Sequence, residues 1–186
     1  MRLTGGGLPL PYAGVSFAAV NCPENHMPRV AQSPADLLSQ SDALKLSGLE
    51  FMQAILDGTN PGPPIGQTMG YALHAVEEGR VVFRGAPSFA MTNPMGTVHG
   101  GWYGTLLDSA MACAVMTKVP RGSVYTTLEY KINILRGLPL GMEIDCIGVT
   151  DHVGRSTGVA HGEIRGVEDG KLYATGSTTC IVMKIA

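Results

Sequence analysis

GWYGTLLDSAMACAVM, running from Gly101 to Met116, decides the fold. It is rich in the helix formers Ala, Leu and Met, and its one formally charged side chain is Asp108. A helix that is apolar on nearly every side has to be buried on nearly every side. The wrapping follows: Leu128, Tyr130, Ile132 and Ile134 alternate with Thr127, Glu129, Lys131 and Asn133, the period-two pattern of a strand with one buried face. Two more strands, near 142–151 and 155–165, flank His152-Val153-Gly154. A long last strand, Lys171 to Met183, follows the turn Glu168-Asp169-Gly170. Upstream, strands near 69–77 and 80–85 are joined by a Glu-Glu-Gly turn. The order is strand, strand, helix, then four strands with hairpin connections. It predicts an α+β fold, a curved antiparallel meander wrapped around one long central helix.

Farther towards the N-terminus, Ser33-Pro34-Ala35-Asp36 starts a helix, with a hydroxyl N-cap, proline at the first position and an acid in the first turn. Leu37, Leu38, Leu44, Leu46, Leu49, Met52, Ile55 and Leu56 keep an imperfect helical rhythm that suits two short helices broken near Ser47-Gly48. Asp57-Gly58 and the run from Asn60 to Pro64 end them. The expected organisation is a flexible, Gly/Pro-rich tail over 1–32, a helical extension and linker over 33–64, and the main domain over 65–186. Met27 heads a more ordinary sequence than the tail before it and is an alternative start. Val15 to Val20 is too short for a signal-peptide core, and the stretch from Trp102 to Val119 contains Asp108 and falls below the ~20 residues a membrane helix needs. A soluble, cytoplasmic protein is expected.

The 186 residues are 45% hydrophobic but only 15% charged, well below the ~25% usual for a globular chain. A chain so lightly charged is expected to bury surface against further copies of itself. The net charge of −2 excludes the basic footprint of a nucleic-acid binder, and disorder of the bulk is excluded by the same balance. Cys22, Cys113, Cys146 and Cys180 form no C-x-x-C pair and read as small packing residues of a reduced compartment. The histidines are equally scattered, so neither a metal site nor a cofactor is expected.

A lone carboxylate in an apolar helix is unfavourable to bury without hydrogen bonds or a cation. Asp108 therefore either sits at a solvent edge or beside an arginine, or it serves chemistry. His99-Gly100-Gly101 at the helix start is the second feature. Two glycines admit a ligand close to the backbone, and the free N–H groups and positive dipole end suit a developing oxyanion. From Gly100 to Asp108 the helix rises about 12 Å. One chain cannot easily bring both groups to one carbonyl carbon, so cooperation between them requires a dimer in which the helix start of one copy faces the acid of the other.

Asn93-Pro94-x-Gly96-x-x-His99-Gly100-Gly101 followed by Leu107-Asp108-x-Ala110 resembles the signature of hotdog-fold acyl-CoA thioesterases of the phenylacetate-degradation type. The resemblance runs from about Leu49 to the C-terminus and takes in Ile134-Leu135-Arg136 and the Asp169-Gly170 turn. It implies a hotdog fold, an acyl-CoA substrate, and a homodimer paired into a homotetramer. Asp108 would be the catalytic carboxylate, as nucleophile or as general base towards water. The Gly100 N–H would be the oxyanion donor, Asn93 would orient the reacting groups, and His99 would fix the loop. A water-positioning hydroxyl on the following strand falls on Thr127 by motif alignment, whereas strict alternation places Thr126 towards the helix. Arg136-Gly137 stands where the family usually has Arg-Pro.

Gly101, Trp102, Arg136 and Arg155 are candidate substrate contacts, with Lys131 a further rim cation. Trp102 and Tyr103 suit either the acyl pocket or a dimer interface, and Phe51, Met52 and Ile55 are candidates to cap the acyl end. His74, His152 and His161 read as ordinary strand or turn residues. The chemistry is self-consistent: a thioester has a good leaving group, so a carboxylate and an oxyanion hole can suffice. No G-x-S-x-G elbow and no phosphate-binding glycine loop competes. The alternatives are a hotdog-fold enoyl-CoA hydratase or dehydratase, whose His/acid motif is not found here, and a non-catalytic acyl-CoA binding module.

Overall fold

In the computed structural model, residues 29–185 are described; the expectations for the first 28 residues lie outside them. The central element is α4 (Gly100–Met116), with Trp102, Tyr103, Leu106, Leu107, Ala110, Met111, Ala114 and Val115 all buried. Around it curves a six-stranded antiparallel sheet of β1 (Tyr71–Glu77), β2 (Arg80–Gly85), β3 (Ser123–Ile134), β4 (Ile144–Val153), β5 (Thr157–Gly166) and β6 (Leu172–Lys184). The α+β expectation holds.

The meander does not. The strand order is β1-β2-β4-β5-β6-β3, so the strand that follows the helix joins the far edge, beside the last strand, rather than hairpinning into β4. Local alternation fixes which residues face the core; it carries no information about which neighbour a strand pairs with. The edges of the curled sheet are therefore β1 and β3, with α4 between them.

Glycine sets how closely sheet and helix approach. Gly148, Gly162 and Gly176 are register partners, forming a straight row across β4, β5 and β6. A Cβ on Gly148 would overlap the Ala110 carbonyl, and one on Gly162 would stand 2.8 Å from Met111 Cγ. A Cβ on Gly176 would stand 3.0 Å from Met111 Cε. The helix backbone rests in that row, where no side chain leaves room for anything else.

The N-terminal extension packs on this body. Ser33 opens a 3₁₀ turn (Pro34–Asp36), Ser39 caps the short α1 (Gln40–Ala43), and Ser47 with Glu50 forms a capping box for α2 (Gly48–Leu56). Met52 and Ile55 of α2 join Leu73, Val76, Val81 and Ala114 in a second apolar cluster at the β1 edge. Arg121, just after α4, also pairs with Glu50. Two boundaries shift. Residues 29–32, assigned to the tail, are placed, with Val30 bridging to Gly62 and Ala31 buried. The segment expected to pass from linker into strand holds a further helix, α3 (Pro64–Met69), closed by Gly70 at φ 71°.

Candidate active site

The loop before α4 is held by its own polar groups. The Asn93 carboxamide donates to Thr97 Oγ1 (2.8 Å) and accepts from the Met95 and Thr97 amides (2.9 and 3.3 Å), so it shapes the 93–97 turn. His99 caps the helix, its Nδ1 accepting the Gly101 N–H at 2.8 Å. That bond divides the two glycines. The Gly101 amide, a candidate substrate contact, is already engaged, whereas the Gly100 N–H has no acceptor among the described residues. It is one of the donors every helix start leaves without an intrahelical partner.

Asp108 lies farther along the same helix. It is half-buried, and Thr127 Oγ1 of β3 donates to its Oδ1 at 2.9 Å. Burial raises the Asp108 pKa above the ordinary carboxylate range, while the Thr127 hydroxyl partly holds it down. The acid is neither fully solvated nor paired with an arginine among the described residues. A carboxylate whose proton affinity is raised by its surroundings is a better base and a common mark of a working site.

Thr127 reaches the acid because of a β-bulge. The pairing of β3 with β6 slips between Thr127 and Glu129, so Tyr125 and Thr127 face the helix on one side of Leu128, and Tyr130 and Ile132 on the other. One extra residue reverses the alternation. Counting back from Tyr130 in steps of two therefore places Thr126 inward, and in the structure Thr126 is exposed. Beyond the bulge, β3 closes over the helix start. A Cβ on Gly104 would stand 3.3 Å from the Tyr130 hydroxyl, and one on Gly100 would stand 3.6 Å from Ile134 Cδ1.

Other candidates separate from this centre. Trp102 is 1% exposed, its indole N–H donating to the Met69 carbonyl at 2.8 Å, and the Tyr103 hydroxyl accepts the Leu138 amide at 2.9 Å. Both belong to the chain's own core rather than to a pocket wall or an interface. Arg136 donates to the Leu172 carbonyl at 2.6 Å, at the start of β6, whereas Arg155 is exposed in the β4–β5 turn beside the Ile181 end of that strand. At ~3.3 Å per residue the two cations are roughly 30 Å apart along β6, too far for one chain to close both on one ligand. His161 Nδ1 lies 2.7 Å from Asp151, away from Asp108.

The N-terminal extension contributes a feature of which the sequence offered only Phe51, Met52 and Ile55, as candidates to cap an acyl end. An apolar cavity of about 710 Å³ lies between the extension and the gap left by the two sheet edges. Phe51, Met52 and Ile55 of α2 line one side, and Tyr71, Ser109 and Tyr125 line the other. Ser109 Oγ donates to the Thr105 carbonyl at 2.9 Å, so the Tyr71 hydroxyl, 2.9 Å away, donates to Ser109. The signal was present: Thr105, Ser109 and Cys113 recur every fourth residue as the polar stripe of an otherwise apolar helix.

Residues 95–173 match the family model of the thioesterase superfamily. The fold is the hotdog fold of solved thioesterases to which the chain is similar. Solved structures agree with the hotdog domain throughout. A putative thioesterase related to phenylacetic acid degradation, from Ralstonia eutropha JMP134, is 29% identical with a TM-score of 0.64, over 70% of this chain and 98% of that one. A mutant of the phenylacetic acid degradation protein PaaI from Thermus thermophilus is 27% identical with a TM-score of 0.58, over 63% and 97%. A hypothetical thioesterase from Streptococcus pneumoniae TIGR4, solved with coenzyme A, is 27% identical with a TM-score of 0.56, over 62% and 88%. No curated protein matches the chain. No helix among the described residues is long and apolar enough to cross a membrane.

Proposed function

We propose that this protein is an acyl-CoA thioesterase, hydrolysing an aryl or short- to medium-chain acyl-CoA to the free acid and coenzyme A. The observation that carries this reading is the half-buried Asp108, held by Thr127, on the same helix whose first amide, at Gly100, has no acceptor among the described residues. The Gly100 N–H polarises the thioester carbonyl and receives its charge as the carbon becomes tetrahedral. Asp108 attacks that carbon, or takes a proton from the attacking water. Collapse expels the thiolate of coenzyme A, which takes up the proton. Where water attacked, the free acid is formed directly; where Asp108 attacked, a water then cleaves the acyl-aspartyl anhydride to the free acid and restores the carboxylate that Thr127 orients. Asn93 and His99 act indirectly, by setting the loop that presents Gly100.

The working unit is a homodimer, itself paired into a homotetramer. Along α4 the amide and the acid are about 12 Å apart, so each site combines Gly100 of one copy with Asp108 of the other. Leu128, Tyr130 and Ile134, exposed on the β3 edge of the single chain, give that pairing apolar surface to cover. Arg136 and Arg155 then reach the coenzyme A phosphates from different copies. The domain proper runs from about residue 65 onwards, after an extension that takes in residues 29–64. With scattered cysteines that are free among the described residues, a reduced, cytoplasmic setting suits it.

The test is thiol release from a panel of acyl-CoAs by wild type and by Asp108→Asn. Wild type should turn over at least one class, and the variant should lose at least a hundredfold in kcat. A wild type inert across aryl, short and medium chains, or a fully active variant, overturns the proposal.

A further inference from the structure

On α4 the side chains that the sheet does not cover lie along one stripe. Its N-terminal half, through Thr105 and Asp108, faces outwards; its C-terminal half, through Ser109, Cys113 and Met116, lines the cavity under the extension. Asp108 stands where the two meet. The cavity wall begins one residue beyond it on the helix, at Ser109, and two residues before Thr127 on β3, at Tyr125. The polar pair at that end, Tyr71 and Ser109, is satisfied internally, so it makes no demand for a polar ligand. Deeper in, the wall is Met52, Ile55, Leu73 and Met116, while the charged and polar lining side chains Arg29, Gln32, Asn60 and Gln67 come from the segments before α1, after α2 and in α3.

We infer that this cavity receives the acyl chain of the thioester, and that the substrate is a straight, saturated acyl-CoA of about eight to ten carbons. The inference rests on the thioesterase reading of Asp108. Each site then takes its oxyanion donor from one copy, and its acid and acyl pocket together from the other. The chain length follows from the stripe. Ser109 to Met116 spans about 10 Å of helix rise. An extended chain advances about 1.2 Å per bond, so about eight bonds fill that depth. A volume of 710 Å³ lies within the 300–1,000 Å³ range usual for small-molecule pockets and has room for a chain of that length.

The experiment is a chain-length series from acetyl- to palmitoyl-CoA, with phenylacetyl-CoA alongside. Wild-type kcat/KM should climb up to roughly fourfold per added CH₂ until about eight to ten carbons, then level or fall. A flat series, a maximum at two to four carbons, or phenylacetyl-CoA outrunning octanoyl-CoA overturns the inference while leaving the thioesterase reading intact. If no length is hydrolysed, that reading fails, and calorimetry still decides the pocket. Tighter binding of octanoyl-CoA than acetyl-CoA supports it, and equal binding overturns it.

Filling the pocket supplies the second arm. Cys113→Phe should lower the octanoyl-to-butanoyl ratio of kcat/KM at least tenfold, moving the optimum to shorter chains. Ala43→Phe, which enters from the extension, should do the same and replaces Cys113→Phe if that variant does not fold. An unchanged ratio in a variant with a wild-type circular dichroism spectrum and melting profile refutes the assignment.

Discussion

Thr127→Val removes one hydroxyl while keeping the shape of the side chain, which isolates the hydrogen bond to Asp108. That bond is 2.9 Å long and ends on a half-buried carboxylate. A hydrogen bond to a charged group contributes ~1.5–3 kcal/mol, and partial exposure of this one favours the lower end, about 1.5 kcal/mol. The corresponding change in the protonation equilibrium is roughly tenfold. Burial already raises the Asp108 pKa and Thr127 opposes that shift, so loss of the hydroxyl raises it further. The carboxylate is the form that reacts; the acid limb of kcat/KM against pH should therefore move to higher pH. Stability carries the same sign. A carboxyl whose folded-state pKa lies above its unfolded value destabilises the fold as pH rises through that interval. The deficit in Tm of Thr127→Val should thus be fully present above the raised pKa of the variant's Asp108 and be lost as pH falls through it towards the ordinary carboxylate value. Thr127→Ser keeps a donor and should return both profiles towards wild type. An acid limb that stays in place while kcat falls would show that Thr127 does not act through the proton of Asp108.

Asp108→Asn removes a half-buried charge that has no cation beside it among the described residues, so the variant should be inactive yet melt higher, by roughly 2–4 °C in a scan at neutral pH; a lower Tm contradicts the strain assigned to the acid. Gly148→Ala drives a methyl into the Ala110 carbonyl, backbone against backbone, and should cost more than about 3 kcal/mol in urea unfolding or prevent folding. Arg121 and the Ser47 cap hold the Glu50 pKa at about 2, down from 4.5. Their stabilisation of the extension is complete above the ordinary carboxylate range and fades as pH falls towards 2. Glu50→Gln should therefore lower the urea midpoint at pH 7 but leave it nearly unchanged near pH 2.

The helix and the lone acid are legible in the sequence because both are local: composition shows that α4 is buried, and charge singles out Asp108. The spacing from Gly100 to Asp108 is likewise fixed by helix geometry alone. What escapes is non-local or turns on a single residue. Alternation along β3 gives no partner for the strand, and its placement beside β6 follows from closing a curled sheet. The bulge at Leu128 inserts one position in a run whose pattern looks regular, and it inverts the assignment between Thr126 and Thr127. Trp102 and Tyr103 look like ligand-lining aromatics in sequence, yet their polar atoms meet backbone partners at Met69 and Leu138, which only the folded chain brings near. The cavity depends on three distant segments and is visible in none of them singly.

The glycine row across β4, β5 and β6 has a consequence for how the molecule comes together. Glycine gives up more backbone freedom on ordering than any other residue, and a row of it supplies no cross-strand side-chain pairs to offset that loss. Through Gly148, Gly162 and Gly176 these three strands gain little from one another until Ala110 and Met111 settle between them. Sheet and helix therefore consolidate in one cooperative event, with the middle of α4 as its keystone and contacts between segments far apart in the chain setting its pace. The amides along that row should be among the last in the protein to exchange with solvent.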